Sequence, residues 1–375
     1  NTGTVTGALD STGGLVGSND GNISGSHATG NVTGAQWGAG GFVGGNNATG
    51  VISGSYSTGN VIGAGSSGGF VGWNTGSIDS SYATGNSTTS GCCGWFGGLV
   101  GDNVGNISNS YATGDSVAND RVGGLVGNHH GGSISNSYST GTATAWWGSA
   151  YAGGLTGGAP TGAGTVANSY WDITTSGQTT SGNAGAAGLT TTQMQTMSSF
   201  TGWSIASTGG SGATWRIYEG HTAPLLRSLL MPLTLMDTSV TYNGATQGGA
   251  TTAIAGVLGI AATGINVGNY SSGYYSIQQG YDIAGGNLTI VAAPAPVVVT
   301  PTVVNTLVNN IVAPPPSVPY TPPTPPAITQ ATVVDATPPA DSNDTNDNQP
   351  AQDTVVAAAP AAEPEPAATP LPVCK

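Results

Sequence analysis

Basic charge is almost missing from this chain. Of its 375 residues four are Lys or Arg, against 17 Asp and Glu, which gives a formal net charge of −13. Its one lysine is Lys375. Nucleic acid is therefore not expected as a partner, because phosphate binding needs clustered cations. No stretch reaches the ~18 consecutive apolar residues of a membrane-spanning helix, so no membrane span is expected. An initiator Met and a signal peptide are also missing, and Asn1-Thr2-Gly3 looks like the tail of an earlier repeat. The expectation is a piece of a longer polypeptide whose targeting signal lies elsewhere. There are three cysteines: Cys92 and Cys93 are neighbours and Cys374 is next to last. A disulfide between adjacent residues is strained, so two thiols or a bond to Cys374 both stay open.

Glycine is what the chain has in excess, 64 residues of it, and the glycines recur with a period. A Gly-Gly-(Leu/Phe)-(Val/Thr)-Gly opening starts at Gly13, Gly40, Gly68, Gly97, Gly123 and Gly153, in steps of 27, 28, 29, 26 and 30 residues. This is the period of a stacked array, in which one unit cannot bury its own apolar side chains and neighbouring units can. Ile or Val precedes an aromatic by four residues in every copy: Ile23/His27, Ile52/Tyr56, Ile78/Tyr82, Ile107/Tyr111, Ile134/Tyr138 and Val166/Tyr170. The residues between are Ser, Gly and Asn, poor helix formers, so the spacing reads as strand. In a strand an even spacing places both side chains on one face. That face would carry Ile, a small residue (Gly25, Gly54, Ser80, Asn109, Asn136, Asn168) and Tyr, with Ser110 and its equivalents on the opposite, outer face. Stacked in parallel, such units make a right-handed parallel β-helix of about six rungs with Ile and Tyr columns inside, all-β in class.

The rung region covers residues 1–172. Extra residues at Trp37, Cys92-Cys93-Gly94-Trp95-Phe96 and Trp146-Trp147 all precede a Gly-Gly opening and should bulge from one corner. Trp37, Trp95, Phe96, Trp146 and Trp147 are thus a candidate contact strip, or else a lid over that corner. Residues 173–230, dense in Trp, Leu and Met, read as a capping segment over the open end of the coil, with Thr190 opening a short helix. Residues 231–291 read as a separate small β module, with a tight turn at Asn243-Gly244. From residue 292 to 375 the composition turns to Pro, Ala, Val, Thr and Asp, an extended spacer that cannot build a core. It ends at Cys374, a candidate tether to the cell surface.

Gly-Gly-Leu-Val-Gly with Ile-x-x-Ser-Tyr-Ala-Thr-Gly resembles the GLUG repeat of large bacterial exoproteins. The run Trp215-Arg216-Ile217-Tyr218-Glu219-Gly220-His221-Thr222-Ala223-Pro224-Leu225-Leu226 is similar to the segment that follows such repeats. Thr241-Tyr242-Asn243-Gly244 through Asn287-Leu288-Thr289-Ile290 resembles the small Tyr-Asp-Gly (MBG-like) module that often comes next. The resemblance implies a filamentous-haemagglutinin-like adhesin, exported by two-partner secretion through an outer-membrane transporter and displayed on Gram-negative cells. Its implied partner is a host-cell or matrix glycan or protein.

Chemistry has little to stand on in this sequence, and the expectation is a non-enzymatic protein without metal or cofactor. His27 occupies the Tyr column as a stacking residue, His129-His130 sits in a Gly-rich turn, and His221 belongs to the cap. Asp79, Asp102, Asp115 and Asp120 are the carboxylates a β-helix glycosidase could use as an acid/base pair, though Asp102 and Asp120 sit beside Asn and Gly as turn residues do. A carbohydrate-binding or glycan-degrading β-helix is the alternative. Thr29, Thr58, Thr84, Thr113 and Thr140 form a further column, and flat threonine arrays on β-helices can bind ice. Asn22, Asn31, Asn47, Asn86 and Asn106 (with Asn269, Asn287 and Asn343) lie in Asn-x-Ser/Thr sequons and are candidates for glycosylation.

Overall fold

The computed structural model describes residues 1–91, 94–148, 151–158 and 162–297. The expectations for Cys92, Cys93, the tether at Cys374 and the tail beyond residue 297 lie outside the described residues. The first rung has five short strands: β1 (Val5–Gly7), β2 (Thr12–Gly13), β3 (Val16–Asn19), β4 (Asn22–Ser24) and β5 (His27–Ala28). Each pairs in parallel with its equivalent one repeat later, so the coil has five parallel ladders. The β1, β2 and β4 ladders run to six strands. The described residues up to Asp172 form a β-solenoid of six rungs.

Identical residues stack because the register never slips. The Ile column runs Ile23, Ile52, Ile78, Ile107, Ile134 to Val166 along the β4 ladder. It joins the Val column (Val43, Val71, Val100, Val126) and the Phe/Leu column (Phe42, Phe70, Leu99, Leu125, Leu155) in one buried core. Phe42 and Phe70 lie face on face, 4.8 Å apart. Glycine is required where corners stack backbone on backbone. A Cβ at Gly98 would sit 2.3 Å from the Gly124 carbonyl oxygen, and one at Gly114 2.0 Å from that of Gly85.

The Tyr column is not in that core, which corrects the face assignment made from the even spacing. The middle residue of each Ile-x-x-x-Tyr run has positive φ: Gly25 (54°), Gly54 (53°), Ser80 (48°), Asn109 (44°), Asn136 (46°) and Asn168 (45°). Only Gly, Asn and similar short polar residues enter this left-handed region at low cost. The chain turns a corner there, and alternation restarts out of step. Ile107 and Ala112 point into the coil, whereas Tyr111 points out of it and meets Trp215. Ser110, expected on the outer face, is fully buried. Its Oγ accepts from the Ser81 N–H at 3.2 Å and donates to the Ser108 carbonyl at 2.7 Å. Ser55, Ser81, Ser137 and Ser169 make the same pair of bonds, so a serine ladder satisfies the corner backbone from rung to rung.

A second polar ladder lies inside the coil at the end of the β3 strands. Asn19 donates to Asn46 (2.8 Å), Asn46 to Asn74 (2.7 Å) and Asn74 to Asn103 (2.7 Å), each through the side-chain amide. His129 takes the next place. Asn103 Nδ2 lies 3.0 Å from its Nδ1, and its Nε2 lies 3.1 Å from the Thr165 carbonyl. That partner set fixes the neutral tautomer with the proton on Nε2, and burial, which lowers the imidazole pKa, holds it there. Every amide in the ladder has a partner, which is what makes buried asparagine tolerable.

Residues 173–230 divide their work between the end of the coil and its flank. Trp171 follows Ala112 and Ser139 in their column, and its indole N–H donates to the Gln178 carbonyl at 2.9 Å. The strand Ala186–Leu189 then pairs with Ser169–Asp172 as a seventh member of the β5 ladder. Beyond it the chain turns along the flank, not over the end. The helix Thr191–Met194 starts at Thr190 with a reciprocal capping box to Gln193. Met194, Phe200, Trp203, Trp215, Ile217 and Leu226 then cover the outward tyrosines Tyr82, Tyr111 and Tyr138. These rings are parallel and 4.9 Å apart.

Burial pushes the phenols of Tyr82, Tyr111 and Tyr138 well above their ordinary 10.0. A proton held more tightly in the folded state contributes stability that is complete below the unfolded value and is lost as pH rises beyond it. We expect phenolate absorbance and far-ultraviolet circular dichroism to change together in strong alkali. Reversible ionisation of all the tyrosines near pH 10 in an intact fold would contradict this cover.

The strand Trp215–Arg216 pairs antiparallel with Leu225–Leu226 and shows a different partner on each side. Trp215 and Leu226 face the tyrosines, while Tyr218 and Leu225 pack against Leu230, Tyr274 and Ile283 of the following module. Between the two, Asp282 is held by Arg216 Nε at 3.3 Å and by the guanidinium of Arg227; Asp282 and Arg216 are buried and Arg227 is largely covered. The module itself is built on parallel pairs, Met231–Leu235 with Tyr281–Gly285 and Thr238–Thr241 with Leu288–Val291. At Asn243-Gly244 the Asn243 side chain accepts from the Ala245 N–H, a local Asx turn. No helix among the described residues is long and apolar enough to cross a membrane.

Candidate functional site

The inserts all leave the coil at the corner between β1 and β2 or their equivalents. Trp37 is half exposed (51 %), as are Trp146 (52 %) and Trp147 (53 %). Trp37 packs on Gly65 of the next rung, where a Cβ would come within 2.9 Å of the indole, and so bridges to rung four. There it meets Trp95 edge to face, with ring centroids 5.8 Å apart. Trp146 and Trp147 are anchored by their backbone N–H groups to the Ala118 and Asn119 carbonyls. Phe96 does not belong to the strip. It is fully buried, in the β2 ladder between Ser67 and Val122, because it lies one residue past Trp95 and points the other way.

Side chains that sequence reasoning left out of the strip gather around it. Trp73, from the β3 ladder, lies across Gly45, where a Cβ would come within 2.4 Å of its ring. Its register partner in the next rung is Asp102, and Asn128 follows in the rung after. Asp102 is in a strand, not a turn. It accepts from Asn128 Nδ2 at 3.1 Å and lies 3.1 Å from His130 Nε2. Burial raises its carboxyl pKa, a rise that His130 and Asn128 oppose. The His130 ring is 6.2 Å from that of Trp95, and the Arg121 guanidinium lies 5.8 Å from the same indole, 3.7 Å from Asp120. The result is an indole surface with an acceptor and an imidazole at its edge, the acceptor being held by the buried Asn128 amide.

The remaining candidates are spread around the rung. Asp79 accepts from Ser80, Ser108 and Asn109 on the β4 ladder. Asp115 accepts from the Thr142 N–H, continuing a ladder begun by Asn31, Asn60 and Asn86. The four aspartates thus occupy four different stations of the rung, with no hydrogen-bond partner in common. His27 stacks on Tyr56 at 4.9 Å, as its place in the aromatic column suggests. Thr58, Thr84 and Thr113 line a cleft of about 350 Å³ whose far wall is Ile277, Gln278 and Gln279, so that column is not an open plane. Asn22, Asn31, Asn86 and Asn106 are exposed, whereas the Asn47 amide donates to Asp20 Oδ1 at 2.8 Å.

Residues 10–33 and 118–144, one rung's length each, match the GLUG motif. Two of the six rungs are thus similar to the GLUG motif. The first matched stretch runs through rung one from the β2 strand to the β1 strand of rung two. The second covers the GLUG rung that contains Asn128, His129 and His130. No curated protein and no solved structure shows a significant match to the chain.

Proposed function

We propose that the chain is part of a secreted bacterial adhesin, displayed on the surface of a Gram-negative cell as an elongated, non-enzymatic stalk. The observation that carries this reading is the stack of six rungs, two of them matching the GLUG motif, with half-exposed tryptophans on one corner. Such a stack presents contact groups at fixed spacing along one edge, while its other flank is covered by residues 190–226. The similarity of the following module to the Tyr-Asp-Gly type, and export by two-partner secretion through an outer-membrane transporter, belong to the same reading. The lack of catalysis is supported by the aspartates: Asp79 and Asp115 are tied into rung-to-rung hydrogen bonds.

Beads coated with the purified protein test it on epithelial monolayers and on immobilised matrix. Coated beads are expected to adhere severalfold above beads carrying the heat-unfolded protein. Equal retention on every surface would contradict the adhesin.

A further inference from the structure

The tryptophan corner has the composition of a sugar-binding surface, and we propose that it binds a neutral carbohydrate chain. This deepens the adhesin reading and rests on it for its biological setting, though not for its chemistry. Three observations select the ligand. First, Trp37 and Trp73 are each seated on a glycine of a neighbouring rung, Gly65 and Gly45, and both keep part of their surface in solvent. A ring fixed on one side and wetted on the other suits the C–H face of a pyranose, which is apolar and needs no charge. Second, the edge of this surface carries Asp102 and His130, both partly exposed, an acceptor and an amphoteric group suited to hydroxyls, with the buried Asn128 amide holding Asp102 from beneath. Third, the rungs that carry these indoles are rich in Ser, Thr, Asn and Gly, a polar setting suited to a hydroxylated ligand. An anionic chain is disfavoured by the net charge of −13 and by Asp120 beside Arg121, the only cation in the rungs.

Cellohexaose and chitohexaose are the probes, a heparin hexasaccharide is the anionic control, and intrinsic tryptophan fluorescence with calorimetry gives the readout on the full chain. A saturable shift is expected with a neutral hexasaccharide and none with the heparin fragment. Trp37→Ala removes a half-exposed side chain and should leave the melting temperature almost unchanged while weakening binding roughly tenfold. Asp102→Asn, which keeps the shape and its acceptor oxygen, should weaken it less. Failure of both neutral probes, preference for the heparin fragment, or undiminished binding by Trp37→Ala would overturn the proposal. Because this assay uses no cells, sugar binding without bead adhesion would sink the adhesin and leave the site standing.

Discussion

Ser110→Asp is expected to abolish cooperative folding of the rung stack, whereas Thr113→Asp, three residues further on, should leave it nearly intact. Ser110 is fully buried, and its hydroxyl both accepts from Ser81 and donates to Ser108. A carboxylate there would lose the donor, crowd the corner and bring a charge into a site with no cation. The cost is about 4 kcal/mol or more, a large part of any domain's stability. Thr113 is exposed, and a charge at such a place shifts stability by no more than about 0.5 kcal/mol. Denaturant unfolding of the two variants measures the difference. Equal midpoints would put Ser110 on the outer face.

The second large effect is expected at Asp282. Removing this carboxylate by Asp282→Ala leaves the Arg216 and Arg227 side chains facing each other without an anion in a buried joint. Breaking a buried ion pair by deleting one partner costs about 3–5 kcal/mol, most of it for the charge left behind. Asp282 also accepts from the Gly210 N–H at 2.9 Å, so the loop before Trp215 should loosen as well. Limited proteolysis should then cut first between residues 207 and 214 and around the module. A protease pattern like that of the parent chain would show that the triad contributes little.

The period, the parallel stacking and the Ile column of the core were legible in the sequence for one reason. A solenoid repeats its contacts, so a column of Ile, Val or Phe/Leu along the chain is also a column in space. The Tyr column misled because alternation was carried straight through a corner. Its sign was present in the run Gly25, Gly54, Ser80, Asn109, Asn136 and Asn168, residue types suited to positive φ. The asparagine ladder had a signal too: Asn19, Asn46, Asn74 and Asn103 each stand three residues after the motif Val, and His129 stands there in rung five. The insert corner could be read from length differences between repeats. Its polar edge could not, since Asp102 and His130 come from a different ladder from Trp95. Nor does the spacing of residues reveal that Asp282 meets Arg227, 55 positions away.

Along the rungs Ile faces the coil interior, and the tyrosines face the segment that covers the flank. A double-mutant cycle tests it most directly, with Tyr111→Ala and Trp215→Ala singly and together, set beside Ile107→Ala and Trp215→Ala. Tyr111 and Trp215 have ring centroids 6.2 Å apart, and Ile107 belongs to the other cluster. The account predicts a coupling of about 0.5–1.5 kcal/mol for Tyr111 with Trp215 and additivity, within about 0.5 kcal/mol, for Ile107 with Trp215. Additivity in the first pair together with coupling in the second would contradict it.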